Sequence, residues 1–346
     1  MGALLLSEEN LRHEGSCISI WRLEMIQKEK TVHITYLYPI RLITRKNEKI
    51  DIPLEQINNC SYNHGILCRV VGEVKNSFKN DELTYLICGD GALALSYDGN
   101  MSNNDLLLHY NDLLCKLLLG GLMVESISQK DITTGSLRDD NLIWPVNFGH
   151  SHNSHIHAVL RMKLTNSFEA IHLLNAVSSA TSVEEFVKCL DMGTQIIKAI
   201  DRISTYYLIA GITEMRYGNW SSALSNLWIV AEQLTDYLWV NRFINDPSRD
   251  PEIPLRRQTL LNDNRTYSAS VKQEILFQIG VLSEVAYSNL YTVRKARNKL
   301  VHEGQLISEE TARKLYGAVN ALLKIAISNE SSDVLPEVEN LIITLK

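Results

Sequence analysis

Within nine residues near the C-terminal end, Arg294-Lys295-Ala296-Arg297-Asn298-Lys299-Leu300-Val301-His302 brings together guanidinium, ammonium, amide and imidazole groups. The chemistry open to such a set is cleavage of RNA without a metal. An imidazole titrating near neutrality can exchange a proton with a ribose 2′-hydroxyl or a leaving oxygen, which is the role His302 would take. Arg297 would hold the phosphate and stabilise charge building on its oxygens. Asn298 would orient His302 or bind phosphate. Arg294, Lys295 and Lys299 make the vicinity basic, a setting suited to a short phosphodiester segment.

Helical spacing at about 100° per residue places Ala286, Leu290, Val293, Leu300 and Val301 on one apolar stripe, with Arg297 in its middle. A guanidinium facing a core is costly unless it is paired or used. Asn298 lies four residues from both Arg294 and His302, so these three line the adjoining face. Arg297 and His302 stand about 140° apart on an ideal helix, so a shared site needs Arg reach, distortion near Gly304, or a second copy. The plainer alternative is that these groups satisfy the last carbonyls of a helix ending at Gly304.

A second group is His150, His152, His155 and His157, where alternate spacing aims His155 and His157 to one face of a strand. Two readings stay open, a metal site and a polar loop between domains. No Cys lies near in sequence to complete a zinc set. Gly89-Asp90-Gly91 lacks the Lys of a phosphate loop and the third Gly of a dinucleotide site, and reads as a turn within or between strands. No G-x-S-x-G, H-E-x-x-H or EF-hand pattern occurs, and no cofactor is implied.

The elements that must position these residues divide the chain in two. In the first half, 17–26, 31–43, 49–57, 65–74 and 83–96 read as strands, dense in β-branched and aromatic residues, with Val32, Ile34, Tyr36 and Tyr38 at a period of two. A helix is expected over 105–119, with Asn104 as N-cap and Gly120-Gly121 as the stop. Beyond residue 167 the pattern turns to amphipathic helices, at 182–200, 201–217, 221–239, 270–282, 283–303 and 309–328. A long, proline-bearing connection is expected over 245–266. The expected fold is therefore α+β, a strand-rich mixed α/β domain over 1–165 followed by an all-α bundle over 166–346. The 346 residues suffice for two such domains.

A formal charge of -6 argues against coating nucleic acid through bulk charge. Cys17, Cys60, Cys68, Cys88, Cys115 and Cys189 are scattered without a C-x-x-C pair and read as reduced, buried thiols. The start of the chain lacks the basic region of a signal peptide, and no apolar run has membrane-spanning length, so a cytoplasmic protein is expected.

The string RKARNKLVHEG resembles the signature of the HEPN superfamily, in which an Arg is followed by a polar residue and, four to six positions on, by a His. Arg297, Asn298 and His302 match it. The run from Trp220 to Leu234 (WSSALSNLWIVAEQL) looks like the other hallmark helix, particularly of Apea-like HEPN proteins of prokaryotic defence systems, where an acidic residue at the position of Glu232 lies near the Arg-His pair. Glu232 also has a bland reading, as a solvated residue flanking an apolar stripe. The resemblance covers roughly 182–330. It implies a helical bundle, a homodimer with the two motifs facing each other, and endoribonuclease activity in a toxin or abortive-infection effector. The N-terminal half would then sense an activating ligand or an inhibitory partner protein. Some HEPN domains instead serve as non-catalytic dimerisation or recruitment modules.

Overall fold

The structure is a computed structural model that describes residues 30–40, 42–46, 48, 55–56, 59, 61–63, 65–96, 101–138, 141–145, 150–161, 180–245, 263, 265–328 and 334–342. Strands concentrate in the N-terminal half and helices in the C-terminal half, giving the expected α+β layout. The chain divides into two compact units, one from Met1–Met101 with Ser128–Val183, the other from Ser102–Ile127 with Glu184–Lys346. The boundary expected near 165, and the strand expected over 17–26, lie outside the described residues.

The first unit is built on β1 (Lys30–Tyr36), β2 (Leu42–Thr44), α1 (Gly65–Cys68), β3 (Val70–Phe78), β4 (Asp81–Cys88), β5 (Ala92–Leu95), β6 (Thr133–Leu137), β7 (Ile143–Pro145), α3 (His152–Arg161) and β8 (Ala180–Ser182). Six strands form an antiparallel sheet in the order β3-β4-β5-β1-β6-β7, while β2 and β8 pair in parallel. The period of two works as expected on β1, where Val32, Ile34 and Tyr36 enter a core with Cys88, Ala92, Ala94 and Ile143. The expected strand over 31–43 is broken instead. β1 ends at Tyr36, the Tyr38–Pro39 bond is cis, and β2 resumes at Leu42. Pro39 has no N–H for a ladder, so the apolar run cannot continue as one strand. Gly65–Cys68 likewise turns as a short helix before β3 begins.

Gly89-Asp90-Gly91 is the turn between β4 and β5, and it does more than reverse the chain. Gly91 O accepts from Leu37 N at 2.9 Å, and Asp90 Oδ1 accepts from Ala92 N at 3.3 Å. Arg161, fully buried at the end of α3, donates Nε and Nη2 to the Asp90 carboxylate at 2.7 and 2.5 Å and Nη1 to Ile143 O at 2.6 Å. Burial alone would raise the Asp90 carboxyl, but the Arg161 charge and its hydrogen bonds outweigh that and hold it well below the carboxylate range. His157 Nδ1 lies 3.4 Å from Asp90 Oδ2, and its ring stacks on Tyr36 with centroids 4.1 Å apart.

The second unit comprises α2 (Asn103–Leu119), α4 (Val183–Ile200), α5 (Thr205–Arg216), α6 (Trp220–Leu238), α7 (Ala269–Gln278), α8 (Glu284–Glu303), α9 (Glu309–Ala326) and the short α10 (Val338–Leu341). Helix α2 is capped by Ser102, whose Oγ accepts from Asp105 N at 3.1 Å. The cap was expected at Asn104; Ser102 wins because Asp105, three residues on, also accepts from its hydroxyl at 2.6 Å. Helix α6 packs on both α5 and α9, and α8 packs on α9 and, less extensively, on α7. Where α4 passes α2, a Cβ on Gly193 would stand 1.8 Å from Lys116 O, so only glycine allows that approach. Among the described residues Cys68, Cys88, Cys115 and Cys189 are buried and form no disulfide. No helix among them is long and apolar enough to cross a membrane.

Candidate functional site

Helix α8 carries the Arg-Asn-His segment and is fixed at both ends by its own sequence. Ser283 caps its start, accepting from Ala286 N at 3.2 Å. Gly304, at φ 69°, stops it in the left-handed conformation that glycine adopts most cheaply, and its N–H bonds Leu300 O at 3.1 Å. The chain then returns to the bundle, where Ile307 N donates to Ser221 Oγ, at the start of α6, at 3.1 Å.

The apolar stripe holds over most of the helix and then runs out. Ala286, Leu290 and Val293 are buried, Leu300 is half-buried, and Val301 is 57% exposed. Val301 was expected on the core stripe; it lies in the last turn, where Asn298, Lys299, His302 and Glu303 are exposed as well. Arg297 sits on the line of the stripe where that line leaves the core, and is half-buried. This resolves the cost of a guanidinium at an apolar position, because the charge stays within reach of solvent.

His302 is exposed. Among the described residues it makes no hydrogen bond or ion pair, and neither do Arg297, Asn298 and Lys299. The Lys299 and Leu300 carbonyls of α8 are met by the backbone of Gly304 and Gln305, with Gln305 N 3.4 Å from Lys299 O. Among the described residues no hydrogen bond joins Arg297 to His302, in keeping with their different helix faces.

Glu232 is half-buried on α6 and accepts from Trp228 Nε1 at 2.8 Å. It lies about three helical turns along α6 from the Ser221 anchor, and among the described residues no hydrogen bond or ion pair links it to Arg297 or His302. The four-residue spacing of Trp228 and Glu232 is the sequence signal for this pairing.

Arg294 and Lys295 are turned toward Tyr291, which the sequence reading passed over. The Arg294 guanidinium lies 5.3 Å and the Lys295 ammonium 4.3 Å from its ring centroid. A hydrogen bond and the charge of Lys295 lower the Tyr291 phenol from its ordinary value. Between Tyr291 and His302 the helix holds Arg294, Lys295, Arg297 and Lys299 and no acidic residue.

The histidine group takes a different form from the one expected. Residues 152–161 are helical, because Ser151 Oγ accepts from Ser154 N at 3.2 Å and opens a helix where alternation suggested a strand. His150 and His155 are exposed, His157 is buried against Asp90 and Tyr36, and the side chain of His152 lies outside the described residues. Among the described residues no three His, Cys, Asp or Glu side chains gather as a metal set. The buried Asp90-Arg161-His157 network was missed because its partners are separated by up to 71 residues and no local pattern links them.

No protein family matches the chain, and neither does any curated protein or solved structure.

Proposed function

We propose that the chain is a metal-independent endoribonuclease of HEPN type, acting in the cytoplasm as an antiviral-defence or toxin effector. The observation that carries this reading is the exposed, uncapped His302 in a helix end that holds Arg294, Lys295, Arg297 and Lys299 without an acidic neighbour until Glu303. In the reaction, the ribose 2′-oxygen attacks the adjacent phosphorus, the bond to the 5′-oxygen breaks, and a 2′,3′-cyclic phosphate remains. His302 exchanges the proton with the 2′-hydroxyl or with the leaving oxygen. Arg297 holds the phosphate and offsets the charge that builds on it. Asn298 orients the imidazole. Because Arg297 and His302 occupy different faces of α8, two copies facing each other would complete the site, and an activating ligand or the loss of an inhibitory partner would license it.

Purified protein, once activated, is expected to cleave RNA in EDTA and leave 2′,3′-cyclic phosphate ends. His302→Ala removes that cleavage while the far-UV circular dichroism is unchanged. Cleavage that persists in the variant would sink the assignment.

A second reading, a non-catalytic HEPN module that recruits a partner protein, is favoured by Val301 and Leu306, which are 57% and 80% exposed on either side of His302. It predicts RNA left intact in every condition, with Arg297→Ala changing assembly alone.

A further inference from the structure

A row of aromatic rings leads along the outer side of α7 and α8 into the basic helix end. Phe277 stacks on Tyr287, with centroids 4.7 Å apart and planes 10° from parallel. Tyr291 follows, its centroid 6.5 Å from that of Tyr287. Tyr287 is fixed by its hydroxyl, which donates to Glu274 on α7. The rings are graded in exposure, with Phe277 and Tyr287 half-buried and Tyr291 40% exposed. Tyr287, Tyr291, Arg294, Asn298 and His302 recur at helical spacing and share one face of α8.

We infer that this face binds single-stranded RNA, with an unpaired base stacked on Tyr291 and the neighbouring phosphates held by Arg294 and Lys295. The inference rests on the ribonuclease reading and adds to it the form of the substrate and the residue that seats it. An exposed ring has a face every base can stack on, whatever the sequence. The two cations beside the ring are placed to meet a phosphate on either side of the stacked base. In the free protein they lie over the ring itself. A strand arriving there gives them phosphates to bind and uncovers the ring. A duplex keeps its bases inside the stack and offers Tyr291 nothing to stack on. The acidic end of the row, at Glu274, is occupied by Tyr287, and Arg294 lies near enough to lower the Glu274 carboxyl, after the larger effects of the hydrogen bonds from Tyr287 and Gln278.

The test uses the full chain carrying His302→Ala, so that the RNA is not consumed, and a fluorescein-labelled 12-nucleotide oligouridylate read by anisotropy. The single strand is expected to bind more tightly than a duplex of the same length. Tyr291→Ala weakens binding about 5- to 160-fold, the span for one stacked base. Tyr291→Phe and Tyr291→Trp hold the affinity, whereas Tyr291→Leu, apolar but without a π-face, loses it like Ala. Circular dichroism of each variant checks the fold. Preference for the duplex, equal binding by Tyr291→Leu, or no binding of the single strand would overturn the inference. Cleavage by the wild-type chain in EDTA is scored separately. Stacking without cleavage defeats only the ribonuclease reading, and cleavage with Tyr291-independent binding defeats only this one.

Discussion

Replacing Asp90 with Ala isolates one buried charge and leaves it stranded. In the native chain the Arg161 guanidinium is fully buried and makes three short hydrogen bonds, two of them to Asp90 at 2.7 and 2.5 Å and one to Ile143 O at 2.6 Å. After Asp90→Ala, Arg161 keeps, among the described residues, the Ile143 carbonyl, the Cys88 thiol and the Tyr36 ring, whose centroid is 5.5 Å away. Arginine does not shed its proton, so the charge cannot be relieved by neutralisation. Breaking a buried pair in this way costs ~3–5 kcal/mol. The loss of the Ala92 N–H acceptor adds to it. Equilibrium urea unfolding of the full chain measures the total, and amide hydrogen exchange on β1 and β5 localises it. Its pH dependence is the sharper check. The Asp90 carboxyl is depressed in the folded chain, so its contribution is fully present above the unfolded carboxylate value of about 3.9 and falls away as pH drops from there toward the lower folded value. The deficit of Asp90→Ala should therefore be constant from neutral pH down to about 5 and shrink in stronger acid. A deficit below about 1 kcal/mol, the scale of an exposed pair, or one that grows in acid, would refute the reasoning.

Two further substitutions test the framework that carries α8. Gly193→Ala sets a Cβ 1.8 Å from Lys116 O, forcing α4 and α2 apart; a loss of about 1–3 kcal/mol is expected in thermal or urea unfolding, and an unchanged midpoint would deny the close approach. Gly304→Ala puts a side chain at φ 69°, where nothing crowds it sterically, so the cost should be only the backbone term of about 1 kcal/mol, seen as a Tm lowered by a few degrees; a rise in Tm would mean that Gly304 is not the helix stop.

What the sequence revealed and what it hid follow from how far apart the deciding residues lie. Helices α6, α8 and α9 were legible because their apolar period, and for α8 the Gly304 stop, are written within a few neighbouring residues. β1 was legible up to Tyr36 for the same reason, and its end was missed because Pro39 interrupts a run whose composition stays strand-like. α3 was read as a strand or loop: His155 and His157 alternate, and that alternation concealed the cap that Ser151 makes. Of the site, the sequence placed His302 and Arg297 on separate faces correctly, but Val301 looked like core because helical spacing cannot tell where the packing partner ends. The ring row through Phe277, Tyr287 and Tyr291 spans two helices, so no single helical wheel displays it.

Helix α2 packs against α5, although the two are separated by roughly 85 residues that build much of the other unit. At a synthesis rate of about 5–20 residues per second, α2 leaves the ribosome roughly 4 to 17 seconds before α5 does. Through that interval α2, which buries Leu106, Leu113, Leu117 and Leu118 in the finished chain, lacks its α5 partner. The helical unit therefore cannot close in the order in which it is made, and the nascent chain offers chaperones a leucine-rich segment for seconds at a time. A fragment beginning at residue 166 would omit that helix altogether and leave the face of α5 that receives it bare.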